Sequence, residues 1–334
     1  MELITKKKLL VVGGRAHTDL VDEICARLGI ERGQMMLATF PNGELHCKFG
    51  ESVRGADLFI VQTHAATEAG GTINDAIMEH LIMVDAARRA SAKRITVVAP
   101  FFGYSRQDRK SEGREPISAK LVANLFASAG AKRIISVDLH SGQIQGFFDG
   151  PVDHLTAAPV LVDWIAQNLP SDVVVVSPDA GRAKVAERYA NQLHTDFAIV
   201  HKRRVRIRNS GTGEQSEVQA KDVVGNVEGR VCVLMDDMID TAGTIVAAAD
   251  QLMEKGAKAV FAAATHGVLS GPAVDRLKNS CIEKLVITNT LPLPPEKMFD
   301  KVVVLSVAGL IADALDAVFE DTSVSDIFAG QHLS

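Results

Sequence analysis

One stretch of the sequence indicates the fold most clearly: Val231-Cys-Val-Leu-Met-Asp-Asp-Met-Ile-Asp-Thr-Ala-Gly-Thr244. It opens with an apolar run, which is typical of a strand buried on both faces of a parallel sheet. Asp236 and Asp237 follow, then a turn of small residues, and a helical pattern runs from Ala242 to Lys255. A strand, a polar turn and a helix in this order predict an α/β fold.

The same alternation recurs along the whole chain. Apolar or β-branched runs predict strands at 9–12, 58–62, 95–99, 134–137, 173–176, 231–235, 260–264, 285–288 and 302–305. Helical patterns lie between them at 73–90, 118–129, 159–168, 180–192 and 242–255. We predict two similar domains, residues 1–150 and 151–334, each a mostly parallel sheet flanked by helices. The charge-rich segment 201–219 predicts a mobile surface loop in the second domain.

Length and composition exclude several classes of protein. The 334 residues suit two domains at about 150 residues each. The net charge of -5, with one Trp and two Tyr, disfavours a nucleic-acid-binding surface. No apolar run approaches membrane-spanning length, and the run at 9–12 is too short for a signal peptide. We therefore expect a cytoplasmic protein with neither nucleic acid nor membrane as a partner.

The turn after the apolar run of the opening stretch suits a sugar phosphate. Backbone N–H groups of a small-residue turn at a helix N-terminus can hold a phosphate, and Thr241 and Thr244 add hydroxyl donors. The acidic residues can accept hydrogen bonds from sugar hydroxyls or hold a metal through water. An acidic strand-end turn with a Thr helix cap is the simpler interpretation, but the length and order of the motif make it less attractive.

This turn resembles the phosphoribosyl-diphosphate-binding loop of the type I phosphoribosyltransferases. Further motifs occur in order along the chain: Phe40-Pro-Asn-Gly-Glu44, Val53-Arg-Gly-Ala-Asp57, Gly103-Tyr-Ser-Arg-Gln-Asp108, Val137-Asp-Leu-His-Ser-Gly-Gln-Ile-Gln-Gly-Phe-Phe148, Ser177-Pro-Asp179 and Lys202-Arg-Arg204. Together they resemble the ribose-phosphate pyrophosphokinase family over essentially the whole chain. The resemblance implies two phosphoribosyltransferase-like domains and the synthesis of phosphoribosyl diphosphate and AMP from ATP and ribose 5-phosphate.

The resemblance also implies where the substrates bind. Ribose 5-phosphate is expected at Asp236, Asp240, Thr241, Ala242, Gly243 and Thr244, and the nucleotide at Phe40, Asn42, Gly43, Glu44, Arg106 and Gln107. Because these sets belong to different domains, the resemblance places the active site between the domains. Without the other motifs, 40–44 would be interpreted as a plain hairpin turn, since Asn-Gly is a favoured turn dipeptide. Asn42 and Ala242 depart from the family pattern, where Asp and Gly are frequent.

Three further roles follow from the resemblance. His140 and Asp179 match magnesium-site positions, although Mg²⁺ prefers oxygen ligands and a single His after a strand is more often structural. Lys202 and Arg204 are the catalytic candidates, and Arg204 is also expected to contact substrate. Cations there would stabilise charge on the transferring group, whereas composition alone suggests a solvated basic segment.

Two other functions share parts of this pattern. A base-specific phosphoribosyltransferase needs the loop at 236–244 but no nucleotide site in a second domain. A non-catalytic regulatory subunit of the same family should have lost catalytic residues, which are present here. The family further implies a homo-oligomer, commonly a hexamer, with phosphate and ADP as effectors. A shared anion site is expected from a set of Ser and Arg residues: Ser52, Arg54, Ser105, Arg109 and Ser306.

Overall fold

The computed structural model describes residues 7–208 and 215–325, and their side chains except at 202–221. The strands are β1 (Leu9–Gly13), β2 (Met35–Thr39), β3 (Leu45–Phe49), β4 (Asp57–Val61), β5 (Arg94–Ala99), β6 (Arg133–Val137), β7 (Val152–Leu155), β8 (Val174–Ser177), β9 (Phe197–Arg208), β10 (Gln215–Val224), β11 (Val231–Ile239), β12 (Ala259–Gly267), β13 (Ile282–Thr288) and β14 (Val302–Leu305). The α-helices are α1 (Thr18–Leu28), α2 (Ile73–Arg89), α3 (Ser118–Ala129), α4 (Ala158–Asn168), α5 (Ala183–Leu193), α6 (Gly243–Glu254), α7 (Ala273–Lys278) and α8 (Ala308–Phe319).

The chain divides into two compact units. The first runs to Ala157 and also takes Asn289–Pro292 and the chain from Ser306 onward, and the second holds Ala158–Thr288 and Leu293–Leu305. The division differs from the predicted domains 1–150 and 151–334, chiefly because the last helix returns to the first unit. There α8 packs against α1, and Asp321 beyond it pairs with Lys7 and Arg94 at 2.6 and 2.5 Å.

The first unit is built on a five-stranded sheet in the order β1-β4-β5-β6-β7, in which every neighbouring pair is parallel. All five residues of β4 are buried, as expected for a parallel strand covered on both faces. Helices α2 and α3 contribute Met83 and Phe126 to its core. Strands β2 and β3 form a separate antiparallel hairpin.

The second unit is built on a seven-stranded sheet in the order β10-β9-β8-β11-β12-β13-β14. Only the edge pair β9 and β10 is antiparallel among these neighbours. The apolar run at 231–235 is buried throughout, and Leu234 packs in one core with Ala248 and Leu252 of α6. The predicted α/β class, with mostly parallel sheets flanked by helices, is confirmed.

In the segment 201–219 the structure differs from the predicted surface loop. The structure shows strand, not loop, over its described parts: residues 201–208 belong to β9 and 215–219 to β10. Residues 209–214 lie outside the described residues. Apolar residues alternate with polar ones at Val205 and Ile207, which is a weak strand signal among many charged residues. Charged residues also suit β10, which is an edge strand.

The helices within the described residues bear on whether the chain could cross a membrane. None of them combines the length and the hydropathy that crossing a bilayer requires.

Candidate functional site

The loop between β11 and α6 forms the core of the candidate site. Strand β11 lies between β8 and β12, so its carboxyl end is inside the sheet, where α/β proteins commonly bind ligands. Beyond the strand, the loop is held by backbone hydrogen bonds from Leu269 to Ile239 and from Ser270 to Asp240, at 3.0 and 2.9 Å. The predicted residues Asp236 and Asp240–Thr244 therefore lie together on one anchored segment.

The N-terminus of α6 is arranged to receive an anion. Ala242 is its N-cap, and the methyl side chain of this residue makes no capping hydrogen bond. The first-turn N–H groups of a helix have no partner within the helix, and the helix dipole makes this end positive. Thr241 and Thr244 are exposed beside it. A phosphate would satisfy these donors.

Ala242 itself has an unusual backbone. Its φ of 60° and ψ of 3° lie in the left-handed region, and the residue is 4% exposed. A Cβ in this region costs roughly 1–2 kcal/mol, which explains why Gly is frequent at this position in the resembled family. The buried methyl group offsets part of that cost by packing in the core of the second unit.

Arg182 holds the acidic end of β11. It follows β8, ending a 3₁₀ turn at Ala180–Arg182, and its Nη2 lies 2.9 Å from Asp237 Oδ1. Its Nε lies 3.5 Å from Asp236 Oδ1. The three side chains are at most 18% exposed, so one guanidinium faces two poorly solvated carboxylates.

This environment changes the acidity of Asp236. Burial raises the pKa of its carboxyl above the ordinary value, and the neighbouring Asp237 raises it further. The Arg182 guanidinium acts in the opposite direction. The Asp236 carboxyl is therefore protonated more readily than that of an exposed aspartate.

Sequence reasoning missed two residues of this site, Arg182 and Arg276. Arg276 on α7 donates from Nη1 to the carbonyl oxygen of Thr241 at 2.9 Å. A Cβ at Gly243 would lie 3.3 Å from the same nitrogen. The turn Asp179-Ala-Gly-Arg182 at the end of a predicted strand was a usable signal for Arg182. Nothing in the sequence connects Arg276 with Thr241.

The predicted metal residues lie on two different loops. Asp179 caps the 3₁₀ turn, its Oδ1 accepting from the N–H groups of Gly181 and Arg182 at 2.8 and 3.1 Å. His140 is half-buried in the loop after β6. No group of three His, Cys, Asp or Glu side chains able to hold a metal ion occurs in the described part of the chain.

The segment Phe40–Glu44 is the turn of the β2–β3 hairpin. Phe40 N–H donates to Glu44 O, and Gly43 N–H donates to Phe40 O, both at 2.8 Å. The φ of Gly43 is 91°, which explains the glycine. Every residue of the turn is exposed, and the Phe40 ring is 49% exposed beside His46. The hairpin turn that the Asn-Gly dipeptide favours is therefore present. The exposed phenylalanine of this turn offers a flat apolar face on which a base can stack.

Arg106 and Gln107 lie on the loop after β5. The Gln107 side chain accepts from Ser118 Oγ at 2.6 Å, and Ala119 N–H donates to the Gln107 carbonyl at 3.2 Å, which ties the loop to the start of α3. Asp108 bonds to Ser141 and Gln143 of the loop that carries His140. Arg106 is exposed between these anchors.

The catalytic candidates fall on β9. The backbone pairs Lys202 with Lys221 and Arg204 with Gln219 of β10. Their side chains lie outside the described part of the structure.

Comparison with known proteins covers both units. The family model for the N-terminal domain of ribose phosphate pyrophosphokinase matches residues 9–130, and the model for the phosphoribosyl synthetase-associated domain matches residues 212–329. The ribose-phosphate pyrophosphokinase of Streptomyces avermitilis is 53% identical over 327 residues, with 98% of each chain covered. The chain belongs to the ribose-phosphate pyrophosphokinase family. The enzyme of the same name from Bifidobacterium longum is 52% identical over 326 residues, covering 96% of this chain and 93% of its own.

A solved structure of the same family agrees in fold. The phosphoribosylpyrophosphate synthetase from Mycobacterium smegmatis superposes with a TM-score of 0.86 at 48% identity, covering 94% of this chain and 100% of that one. The family predicted from the motifs is confirmed, and this ribose-phosphate pyrophosphokinase family member is an enzyme.

Proposed function

We propose that the protein transfers the β,γ-diphosphoryl group of ATP to the C1 hydroxyl of ribose 5-phosphate. The products are 5-phosphoribosyl 1-diphosphate and AMP, a step of nucleotide biosynthesis. The single observation that carries this proposal is the segment 236–244, which runs from the carboxyl end of β11 into the first turn of α6. Its acidic end suits sugar hydroxyls and its helical end suits a phosphate, in a chain of this family.

The sugar half of the mechanism follows from this loop. The 5-phosphate lies against the N–H groups of α6, with hydroxyls of Thr241 and Thr244 as further donors. Asp236 and Asp240 accept hydrogen bonds from the ribose hydroxyls. Arg182 keeps the carboxyl groups of Asp236 and Asp237, near the end of β11, in place, and the segment therefore orients C1 before transfer.

The nucleotide half uses exposed groups of the first unit. Phe40 stacks on adenine, while Asn42, Gly43 and Glu44 supply polar contacts of the hairpin turn. Arg106 and Gln107 bind the phosphate and ribose portion of ATP, with Arg106 suited to bidentate phosphate contacts.

Lys202 and Arg204 act on the transition state. Attack of the sugar hydroxyl on the β-phosphorus places negative charge on the transferring group and on the departing AMP. Cations brought to that charge accelerate the reaction only if they stabilise the transition state more than the bound substrates. Arg204 also contacts the substrate.

Magnesium is the proposed cofactor, with Asp179 and His140 as the residues that would hold it. Mg²⁺ takes one or two protein carboxylates and completes its shell with water and substrate phosphates. Asp179 fits this requirement as a carboxylate at the end of β8, whereas the His140 nitrogen suits the ion less well. When bound, the ion neutralises phosphate charge. Chelation should abolish activity, and His140→Ala should raise the magnesium concentration needed.

Assembly, control and location are finer parts of the proposal. We expect a cytoplasmic homo-oligomer, a hexamer by family resemblance, with phosphate and ADP as effectors and with neither nucleic acid nor membrane as a partner. Among the expected anion contacts, the Ser306 hydroxyl bonds to Glu23, a carboxylate that disfavours phosphate there. Arg54→Ala should shift phosphate activation to higher concentration, measured together with the mass by light scattering.

The experiment that tests the function measures AMP release. AMP should form only when ATP, ribose 5-phosphate and Mg²⁺ are all present. A base-specific phosphoribosyltransferase would instead need a nucleobase and phosphoribosyl diphosphate, and a regulatory subunit would form no AMP alone. Asp236→Ala should weaken ribose 5-phosphate binding in calorimetry while ATP binding persists. Equal weakening of both ligands would indicate damage to the fold.

A further inference from the structure

Two buried histidines form a directed hydrogen-bonded pair in the first unit. His64, just beyond β4, and His80 on α2 are both 0% exposed. His80 Nε2 lies 3.0 Å from the carbonyl oxygen of Ile60, so this nitrogen carries the proton. Its Nδ1 must then accept, and it does so from His64 Nε2 at 3.2 Å. Each ring is fixed in one neutral tautomer by its partners.

The pair ends on the backbone of the loop that carries Arg106 and Gln107. The remaining nitrogen of His64, Nδ1, accepts the N–H of Gly103 at 2.9 Å. His64 also donates its backbone N–H to Phe101 O at 3.1 Å. A Cβ at Gly103 would lie 3.0 Å from the His64 Cβ, so the loop backbone touches the histidine directly.

A tight turn connects Gly103 to Arg106 and Gln107. Tyr104 has a φ of 62°, and Gln107 N–H closes a turn onto the Tyr104 carbonyl at 2.9 Å. The Tyr104 hydroxyl bonds to Asn74 at 2.6 Å. Because the segment is a closed turn, a shift of Gly103 moves Arg106 with it.

Aromatic rings pack against both histidines of the pair. The His64 ring stacks on Phe126 at 5.7 Å and 7°, and the His80 ring meets the same phenylalanine edge-on at 5.0 Å. The Phe102 ring also packs against the His64 ring, with 5.7 Å between the ring centroids. In such an apolar core a lost hydrogen bond is not replaced by water, so the backbone must move to find a partner.

The neighbouring residue on α2 supports the same interpretation. Glu79 is 2% exposed and accepts from the backbone N–H of Arg15 and from Gln62 Nε2, both at 2.8 Å. It also pairs with Arg15 Nε at 2.6 Å. Glu79 thus holds the segments that follow β1 and β4. His80, the next residue of α2, holds, through His64, the segment that follows β5. These are neighbouring strands of the sheet.

We propose that His64, backed by His80, is a positioning residue that sets the ATP-binding loop through its hydrogen bond to Gly103. It acts on substrate only through Arg106 and Gln107, so the proposal rests on their nucleotide role in the proposed function. Nothing in the reaction requires either imidazole to change its protonation.

The test compares two polar substitutions of similar size. In His64→Asn the Oδ1 atom occupies the place of Nδ1 and can still accept from Gly103, whereas in His64→Gln the terminal amide reaches toward His80 instead. Steady-state KM values for ATP and for ribose 5-phosphate are measured for both. Arg106→Ala tests the nucleotide role, and Phe126→Leu is the matched control, since it disturbs the same core without removing a hydrogen bond.

The proposal predicts a selective effect. The KM for ATP should rise about tenfold in His64→Gln, corresponding to one lost contact, and stay within about twofold in His64→Asn. The KM for ribose 5-phosphate should stay unchanged in both, and Phe126→Leu should lower Tm without changing the KM for ATP. Equal ATP KM values in the two His64 variants, with a raised KM in Arg106→Ala, would overturn the positioning role alone. An unchanged KM in Arg106→Ala would overturn the nucleotide role and this proposal with it.

The wild-type protein supplies a measurement that needs no variant. The Gly103 amide should exchange with deuterium as slowly as amides of the β4 core, because its acceptor is a buried ring. Exchange at the rate of the exposed hairpin turn 40–44 would contradict the hydrogen bond on which the proposal stands.

Discussion

Arg182 Nη2 lies 2.9 Å from Asp237 Oδ1, so the loop after β8 holds the acidic end of the neighbouring strand β11. The same guanidinium reaches Asp236 at 3.5 Å. Removing it would leave two adjacent carboxylates facing each other with little solvent, at the place where the sugar is proposed to bind.

Arg182→Ala is therefore expected to destabilise the protein by about 3 kcal/mol, as breaking a buried ion pair does. Arg182→Lys should recover only part of this loss, because an ammonium cannot reproduce a two-pronged contact. The measurement is the free energy of unfolding in urea. Arg188→Ala, an exposed arginine of the adjoining helix α5, is the control and should change it by less than about 0.5 kcal/mol. A loss no greater than the control's would show that the pair is structurally unimportant.

At Ala242 two opposing effects nearly cancel in a glycine variant. Ala242→Gly removes the cost of a Cβ in the left-handed region, which is roughly 1–2 kcal/mol. It also removes a buried methyl group and raises the conformational entropy of the unfolded chain, and both of these changes destabilise the folded state. Its stability should stay within about 1 kcal/mol of wild type. Ala242→Val combines positive φ with a β-branched side chain and should cost more than about 2 kcal/mol. Thermal unfolding of both variants decides the point, and a tolerated valine would mean that the described backbone is not populated.

The buried histidines predict a loss of stability in mild acid. Burial lowers the pKa of His80 to about 3 and that of His64 well below its ordinary value. The folded state therefore binds fewer protons than the unfolded state below pH 6.5, so stability falls as pH falls from 6.5 toward 4.5. Asp236 contributes with opposite sign, since its raised pKa favours the folded state as pH falls.

A comparison of the wild type with a His80 variant separates the contribution of this histidine to the pH dependence of stability. His80→Gln should reduce the pH slope of the unfolding free energy by about 1.4 kcal/mol per pH unit, the value for one proton. Urea midpoints at pH 6.5 and 4.5 supply the slope. Identical slopes for wild type and variant would mean that His80 is not buried in neutral form.

Lys202 carries the prediction about catalysis. Lys202→Ala should lower kcat by about a thousandfold, in line with the loss of a charge-stabilising residue in phosphoryl transfer. The dissociation constants of both substrates should change much less. Arg203→Ala, the neighbouring cation on β9, is the matched control and should retain most activity. Near-normal turnover in the Lys202 variant would remove this residue from the mechanism.

The sequence predicted the parts of the structure that local pattern controls. The run 231–235 lies in β11, which continues to Ile239, and the predicted helix 242–255 corresponds to α6. Both were predictable because apolar periodicity and turn chemistry act over neighbouring residues. The departure at Ala242 was also visible, and the structure shows that it concerns a residue with positive φ.

Contacts between distant segments could not be predicted in this way. Arg276 and Thr241 are 35 positions apart, and His64 and His80 meet only because α2 packs beside β4. In 201–219 the many charged residues mask a weak alternation of apolar and polar residues, so the sequence predicts a loop where the structure has two paired strands over the described residues. The return of α8 to the first unit likewise depends on packing against α1, which no local pattern records.

The fate of the β-phosphorus of ATP distinguishes diphosphoryl transfer from every other reaction of ATP with ribose 5-phosphate. The protein is incubated with ATP, Mg²⁺ and ribose 5-phosphate, and ³¹P NMR identifies where the β- and γ-phosphorus atoms end. The account predicts a diphosphate attached through the β-phosphorus to C1 of ribose 5-phosphate, with an equal amount of AMP. Formation of ADP with a single phosphoryl group on the sugar, or an unchanged ATP spectrum from folded protein, would contradict it.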